Sequence, residues 1–358
     1  MMQLKNTAND YSENISLYNS LLTPCKILRK HIIMKYFNSI VLFIVFISLF
    51  SCSTEKAKNG YKGNVKSVTY KNFIGIWKFG EFQKQGTKSV NIYLYNVNGD
   101  LIENSQFSSD ATLIEKSTNK YDAKGNRIES ITYNSDGSLK TKSTSKYNDK
   151  ENLIESIVYN SEGSIKTEQK CTYNERNKLI ESITYSSDGS IETKQTCDYD
   201  SNCNLIGTNY YKSNGNLDDN FIFDVNGNAI QHNYYSEDGS LAMKSFRNYD
   251  LKGQLIELND YYSNGKLSEK RTYSYDTKGT CLIMIVYYMG TYNRNSKEIT
   301  KHDSNGDLVE YTAYNQTGNE NEKTTYKYTY DKIGNWITEN VLGNGIQTEY
   351  SERELQYY

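Results

Sequence analysis

The chain has 358 residues, with 41 Lys and Arg against 43 Asp and Glu, and it holds 34 Tyr, 23 Gly and a single Pro. The near balance of charge, with Lys scattered among Glu and Asp, excludes a nucleic-acid partner, which needs a basic patch. Only 37% of the residues are apolar and many of those are Tyr, so a large aliphatic core is excluded as well; a buried Tyr hydroxyl needs a partner. In chain order, residues 1–33 read as neither a signal segment nor a domain. They contain the only Pro, Pro24, and precede a good start at Met34, so the expectation is a mis-assigned upstream extension.

Residues 34–51 read as a signal segment. Lys35 gives a short polar head, and the apolar stretch Ile40–Phe50 is too short for an ordinary membrane helix but suits a secretory signal core. The ending "LFSC" (Leu49, Phe50, Ser51, Cys52) resembles the lipobox of bacterial lipoproteins, with Phe50 standing where small residues are commoner. That resemblance implies cleavage before Cys52 and acylation of its thiol. The lipid on Cys52 is then the membrane partner. Polar residues 52–62 follow as a tether.

Residues 63–358 are expected to form one repeat domain. A phrase recurs: an aromatic residue, then Asn or Asp, Gly four positions after the aromatic, Leu or Ile at six. It starts at Tyr121, Tyr133, Tyr147, Tyr159 and Tyr173, for example, in steps that alternate between 12 and 14. A fixed period marks a repeat architecture. In "YNSDGSL", Gly137 permits the positive φ that a type I turn with a G1 bulge requires, and the loop sets Tyr133 opposite Leu139. One strand per phrase predicts an all-β fold, a long antiparallel meander of hairpins of roughly twenty strands in one extended or curled sheet. Uninterrupted alternation puts Leu153, Glu155, Ile157 and Tyr159 on one face, and Glu155 between Ser145 and Gln169.

"YDAKGNRIES" and "YDKIGNWITE" resemble the YD-repeat (RHS-like) family, and "YYSNGKLSEK" (Tyr261–Lys270) resembles its MORN-type variant. The likeness covers Tyr95 to the C-terminus and implies a long, curling β-sheet. Family toxins also carry an effector and a protease-like core region, for which this chain has no room. A repeat-only surface lipoprotein of Bacteroidetes type is the nearer match.

Site residues are few. His302 fills the aromatic slot of a phrase, and His232 sits in mid-strand with no Cys, Ser or Asp at a recognisable spacing. His31 and Cys25 fall in the 1–33 extension. Cys171 and Cys197 occupy equivalent slots on next-but-one strands, too far apart for a disulfide; Cys203 replaces a turn glycine, and Cys281 stands alone. No catalytic, cofactor or metal residue is expected. Glu129, Glu155 and Glu181 form a column that reads either as a cation site or as carboxylates bonded to their neighbours. Tyr columns read as packing, or as a stacking surface for sugar. The expected role is a non-enzymatic binding or scaffolding lipoprotein of the cell envelope, on the outer membrane, with protein or glycan as a surface partner. The alternatives are a glycan-binding module and a remnant of a YD-repeat toxin shell.

Overall fold

The structure is a computed structural model that describes residues 60–78, 81–277, 281–288 and 296–358. The extension, the signal segment and Cys52 lie outside the described residues. Twenty-two strands run in chain order. The first are β1 (Val65–Lys78), β2 (Glu81–Tyr95), β3 (Leu101–Phe107), β4 (Leu113–Tyr121), β5 (Arg127–Asn134), β6 (Leu139–Tyr147), β7 (Leu153–Tyr159) and β8 (Ile165–Tyr173). Next come β9 (Leu179–Ser186), β10 (Ile191–Tyr199), β11 (Leu205–Tyr211), β12 (Leu217–Phe223), β13 (Ala229–Tyr235), β14 (Leu241–Tyr249), β15 (Leu255–Tyr262) and β16 (Leu267–Tyr275). The last are β17 (Cys281–Tyr288), β18 (Ser296–His302), β19 (Leu308–Tyr314), β20 (Glu320–Tyr330), β21 (Trp336–Gly343) and β22 (Ile346–Tyr357).

Each phrase builds the turn its residues require. The amide of Asn134 donates to the carbonyl of Ser138 at 2.9 Å, and Gly137 donates back to Asn134 at 3.0 Å with φ at 81°. The Asp or Asn after the aromatic locks the loop: the carboxylate of Asp122 accepts from the amides of Lys124 and Asn126, both at 2.9 Å. The expected pairs are present, Tyr133 opposite Leu139, Tyr159 opposite Ile165 and Tyr185 opposite Ile191. Cys203 does stand at the glycine position, with φ at 65°.

The aromatic residue also ties strands together. Tyr173 ends β8 opposite Leu179 of β9, while its hydroxyl reaches back to donate to the carbonyl of Leu153 in β7, at 2.7 Å. Tyr121, Tyr147, Tyr199, Tyr249 and Tyr275 repeat this bond to the residue twenty positions earlier. Each of these phenols therefore spans three strands.

Two expectations are corrected. The sheet is not extended or open. β1 pairs with β2 on one side and with β22 on the other, antiparallel both times, so the meander closes into a barrel. An all-antiparallel meander closes this way only with an even number of strands, because the first and last must run oppositely. Closure removes both sheet edges.

The second correction concerns register. After Tyr147 meets Leu153, Lys146 meets Glu155, and Ile154 is left without a partner. The same one-residue bulge follows every phrase turn described, always at the second residue of the new strand; Lys140 and Ile206 are further instances. A bulge puts two residues opposite one. The face therefore switches: Leu153 shares a face with Tyr147, whereas Glu155 faces Lys146 and Lys170 rather than Ser145 and Gln169.

Closure turns one face inward, where side chains converge. Val68, Tyr95, Thr208, Phe221, Leu258 and Met284 are buried there, while Ile222, Phe246 and Tyr287 on the other face are exposed. The outer face carries ion pairs instead. Glu129 lies between Lys120 at 2.6 Å and Lys142 at 2.9 Å, and Glu310 between Lys301 at 2.6 Å and Lys323 at 3.1 Å.

Two predictions follow from this ladder. Tyr173→Phe removes one cross-strand hydrogen bond and should cost about 1 kcal/mol by urea denaturation. Deleting Tyr147–Thr172 removes an up–down pair and leaves an even count, so β1 and β22 still meet antiparallel, and a modest fall in melting temperature is expected. Deleting only Tyr147–Val158 leaves an odd count and a seam with the wrong polarity. That variant should aggregate or melt far lower; equal behaviour of the two deletions in calorimetry would refute the alternating barrel.

Candidate functional site: the inner row and the seam

Six successive strands contribute a row of directly opposed inner-face residues. Thr208 of β11 faces Phe221, Phe221 faces His232, His232 faces Ser245, Ser245 faces Asp260, and Asp260 faces Glu269 of β16. Thr208, Ser245, Asp260 and Glu269 are buried, as is Asp219 in the adjoining row. Such a concentration of buried polar groups requires internal partners.

Most of these groups have one. His232 Nε2 contacts the carboxylate of Asp219, and its ring stacks on Phe221 at 4.2 Å with the planes 3° apart. Read along the chain His232 has no recognisable partner, because Asp219 lies 13 positions away on the neighbouring strand. Counting the bulge into the register would have found it. Ser245 Oγ donates to Asp260 at 2.5 Å. A Ser, a His and an Asp therefore lie side by side, but the serine hydroxyl is committed to Asp260 and not to His232. The nucleophile–base hydrogen bond of triad chemistry is not made.

The second concentration is the seam. Arg353 of β22 faces Tyr70 of β1. Its guanidinium lies 3.2 Å from the ring centre of Trp336, with Tyr61 at 5.5 Å and Tyr70 at 5.6 Å. Burial pushes the Arg353 guanidinium below its ordinary value, and aromatic faces supply attraction that lost water no longer provides. Below the seam, Val65, Val68 and Tyr95 form a small buried cluster with Leu101 and Leu355. The lead-in to β1 is pinned at the same end. The amide of Lys62 donates to Asn335 Oδ1 and Asn335 Nδ2 donates to the Lys62 carbonyl, both at 2.7 Å.

The remaining sequence candidates are placed as follows. The Glu column is an ion-pair ladder on the outer face, with Glu155 2.7 Å from Lys146 and Glu181 2.6 Å from Lys194, so its carboxylates bind lysines. Cys171, Cys197 and Cys203 are free thiols. Cys171 faces Ser182, which faces Gln195, so Cys197 is separated from Cys171 by a strand and by a two-residue stagger. Burial pushes the Cys197 thiol up to about 11. His302 faces Leu308 beside a turn, and burial lowers its value. Among the described residues no group of three or more His, Cys, Asp or Glu is arranged to hold a metal. The side chain of Cys281 lies outside the described residues.

No family model matches the chain, and no curated protein matches it. Solved structures with similar segments include TcdB2-TccC3-TEV, at 13% identity and a TM-score of 0.27, over 78% of this chain and 19% of that one. The Photorhabdus luminescens Tc holotoxin pore gives 13% and 0.27 over 74% and 19%. A porin-like protein from Bacteroides uniformis gives 13% and 0.27 over 83% of this chain and 98% of its own. This chain thus spans about a fifth of the length of the toxin chains it matches. At these scores the likenesses carry no argument about activity.

Glu269 provides a pH test of the inner row. Burial raises its carboxyl above the ordinary glutamate value, despite contact with Arg271. Between the ordinary and the raised value the native state binds more protons than the unfolded state. Stability therefore rises as pH falls through that window, and the ionised form is a cost at neutral pH. Glu269→Gln is expected to be more stable than the parent at pH 7, and the difference should shrink as the pH approaches the ordinary glutamate value. Urea titrations at several pH values will read this out.

Proposed function

We propose that this protein is a lipid-anchored protein of the bacterial cell envelope whose closed barrel serves binding or scaffolding rather than catalysis. The observation that carries the reading is the outer face of the barrel. A closed β-barrel is compatible with an envelope location, but a spanning barrel must present an apolar band to lipid. Here the outward positions are occupied by pairs such as Lys120–Glu129–Lys142 and Lys301–Glu310–Lys323. A lysine at the bilayer midplane costs roughly 2–4 kcal/mol, and a ring of them is prohibitive. The inner face is no better suited to lipid, being lined by Thr208, Ser245, Asp260 and Glu269. The barrel is thus a water-facing body, and attachment to a membrane falls to the segment before it, where "LFSC" ends at Cys52.

A binding or scaffolding role is supported by the commitment of the inner polar groups to one another, Ser245 to Asp260 and His232 to Asp219. The inner rings are likewise engaged: Phe221 stacks on His232, and Trp336 on Arg353.

Mass spectrometry of the mature N-terminus tests the anchor. The expected product begins with an acylated Cys52, and Cys52→Ser should leave the protein unprocessed or release it from membranes. An unmodified Cys52, or cleavage at another site, would refute the lipoprotein reading.

A further inference from the structure

In an antiparallel meander every odd-numbered strand starts at the same rim. The bulged second residue can therefore be compared between the two rims, and the contrast is chemical. On the rim where odd strands start, the bulge position runs Ile102, Ile128, Ile154, Ile180, Ile206, Ile230 and Ile256 from β3 to β15, and Val309 and Ile337 continue it in β19 and β21. The seven isoleucines are between 36% and 44% exposed. On the opposite rim the same position holds Lys140, Lys166, Glu192, Asp218, Ser268 and Asn321, with Ile114 and Ala242 as the aliphatic exceptions.

The turn tips repeat the contrast in part. At the second turn residue the first rim has Val97, Ala123, Val225 and Leu251 alongside Asp149, Glu175, Ser201, Thr277, Ser304 and Lys332. Val97, Val225 and Leu251 are exposed by 65%, 80% and 109%, and Ile333, one position further on in its turn, by 46%. The opposite rim has Ser109, Ser135, Ser161, Ser187, Ser213 and Ser263 at the corresponding position, with Glu237 and Gln316 in the other two turns. Exposed apolar residues occur there too, at Ile74, Ile76, Ile114, Ile165, Ile191, Tyr262 and Ile346. Bulge geometry does not demand isoleucine, since lysine, glutamate and serine fill the same position at the other rim. Between neighbouring turns of the first rim, Ile128 and Ile154 line a shallow groove with Asp122, Lys124, Asn126, Lys146, Asn148 and Asp149.

The chain enters the barrel at this same aliphatic rim. β1 starts there, and Lys62 is held there by Asn335 of the turn between β20 and β21. Cys52 is eight residues before Gly60. Eight residues, fully extended, reach at most about 28 Å. A lipid on Cys52 is therefore tethered from this rim.

We infer that the aliphatic rim is a lipid-docking surface: the barrel stands end-on on the membrane, with the isoleucine ring and the Val225 and Leu251 tips in the interfacial region and the serine-rich rim directed away. The distribution favours lipid over a protein partner. A protein interface concentrates its energy in a central patch rich in Trp, Tyr and Arg, whereas here Ile, Val and Leu are spread around a rim, as contact with a plane requires. The orientation rests on the anchor at Cys52; the rim's own affinity for lipid does not.

The test uses the unit 56–358, which is compact by itself, contains every strand of the barrel and lacks Cys52. The probe is sedimentation with vesicles of phosphatidylethanolamine and phosphatidylglycerol. The parent unit is expected to pellet with vesicles. The double variant Val225→Ser, Leu251→Ser should bind at least fivefold less with an unchanged melting temperature, and the control Ile165→Ser, Ile191→Ser on the opposite rim should bind as the parent does. No pelleting of the parent, or equal losses in the two double variants, would overturn the docking surface. So would a dimer in light scattering that the Val225 and Leu251 substitutions abolish, which would assign the rim to a second copy. Mass spectrometry of the full chain reports the anchor separately: an unacylated Cys52 with vesicle binding intact removes the anchor and keeps the surface, and an acylated Cys52 without vesicle binding does the reverse.

Discussion

The structure depends on one pairing, that of β1 with β22. Among the described residues every other ladder joins strands adjacent in sequence. An open sheet of 22 strands would leave two rows of unpaired amides and carbonyls, a template for association. The closing strands are long, with 14 residues in β1 and 12 in β22, against seven to nine in β3 to β19. They also bring the best-packed side chains: Val65 and Val68 are fully buried, and Arg353 fills the gap between Tyr61, Tyr70 and Trp336. The seam thus compensates for its lack of a connecting turn with area and with aromatic contact.

Away from the seam the stability is quasi-one-dimensional. Most phrase hairpins carry their own Asx-locked turn, an aromatic–aliphatic pair and, at most turns of one rim, a phenol reaching to the strand before. Neighbouring units interact and distant ones do not, as in other repeat proteins. The bulge after each turn lets two chemistries coexist on one strand. Leu153 can pack inward with Tyr147 while Glu155, two residues on, meets Lys146 outside. Exposed pairs of this sort contribute little individually, about 0–1 kcal/mol. They keep the outer surface soluble and penalise slipped registers that would set like charges opposite.

The two faces and the two rims divide the labour. The outer face is charged and wet, the inner face holds a largely paired polar row, and neither resembles a lipid-facing band. The rims differ from one another because odd and even phrases have diverged. Turns such as "DLKG" and "DVNG" belong to one end, and "SDGS" and "SEGS" to the other. The 26-residue unit therefore encodes a polarity of the barrel axis as well as a hairpin pair.

Much of this was legible in the chain. The phrase determined strand number to within about two, turn type, the Tyr133–Leu139 kind of pair and the positive φ at Cys203, because each is a matter of a few consecutive residues. Uninterrupted alternation sets Glu155 opposite Ser145 and Gln169 and beside Leu153, whereas the bulge at Ile154 puts Leu153 on the other face and pairs Glu155 with Lys146 and Lys170; a bulge leaves no mark in a period-two count unless the register is followed across the turn. His232 and Asp219, 13 residues apart, became partners only once neighbouring strands were aligned. Closure was beyond sequence reasoning altogether. Tyr70 and Arg353 are 283 positions apart, and nothing local distinguishes a strand that will meet β22 from one that ends a sheet. The sequence by itself determined the hairpin, its turn and its two rims, since these follow from local sterics and hydrogen bonding. Only the tertiary structure decided that the ladder closes and which side chains share its inner face, because both depend on twist, coiling and bulges accumulated over all the strands.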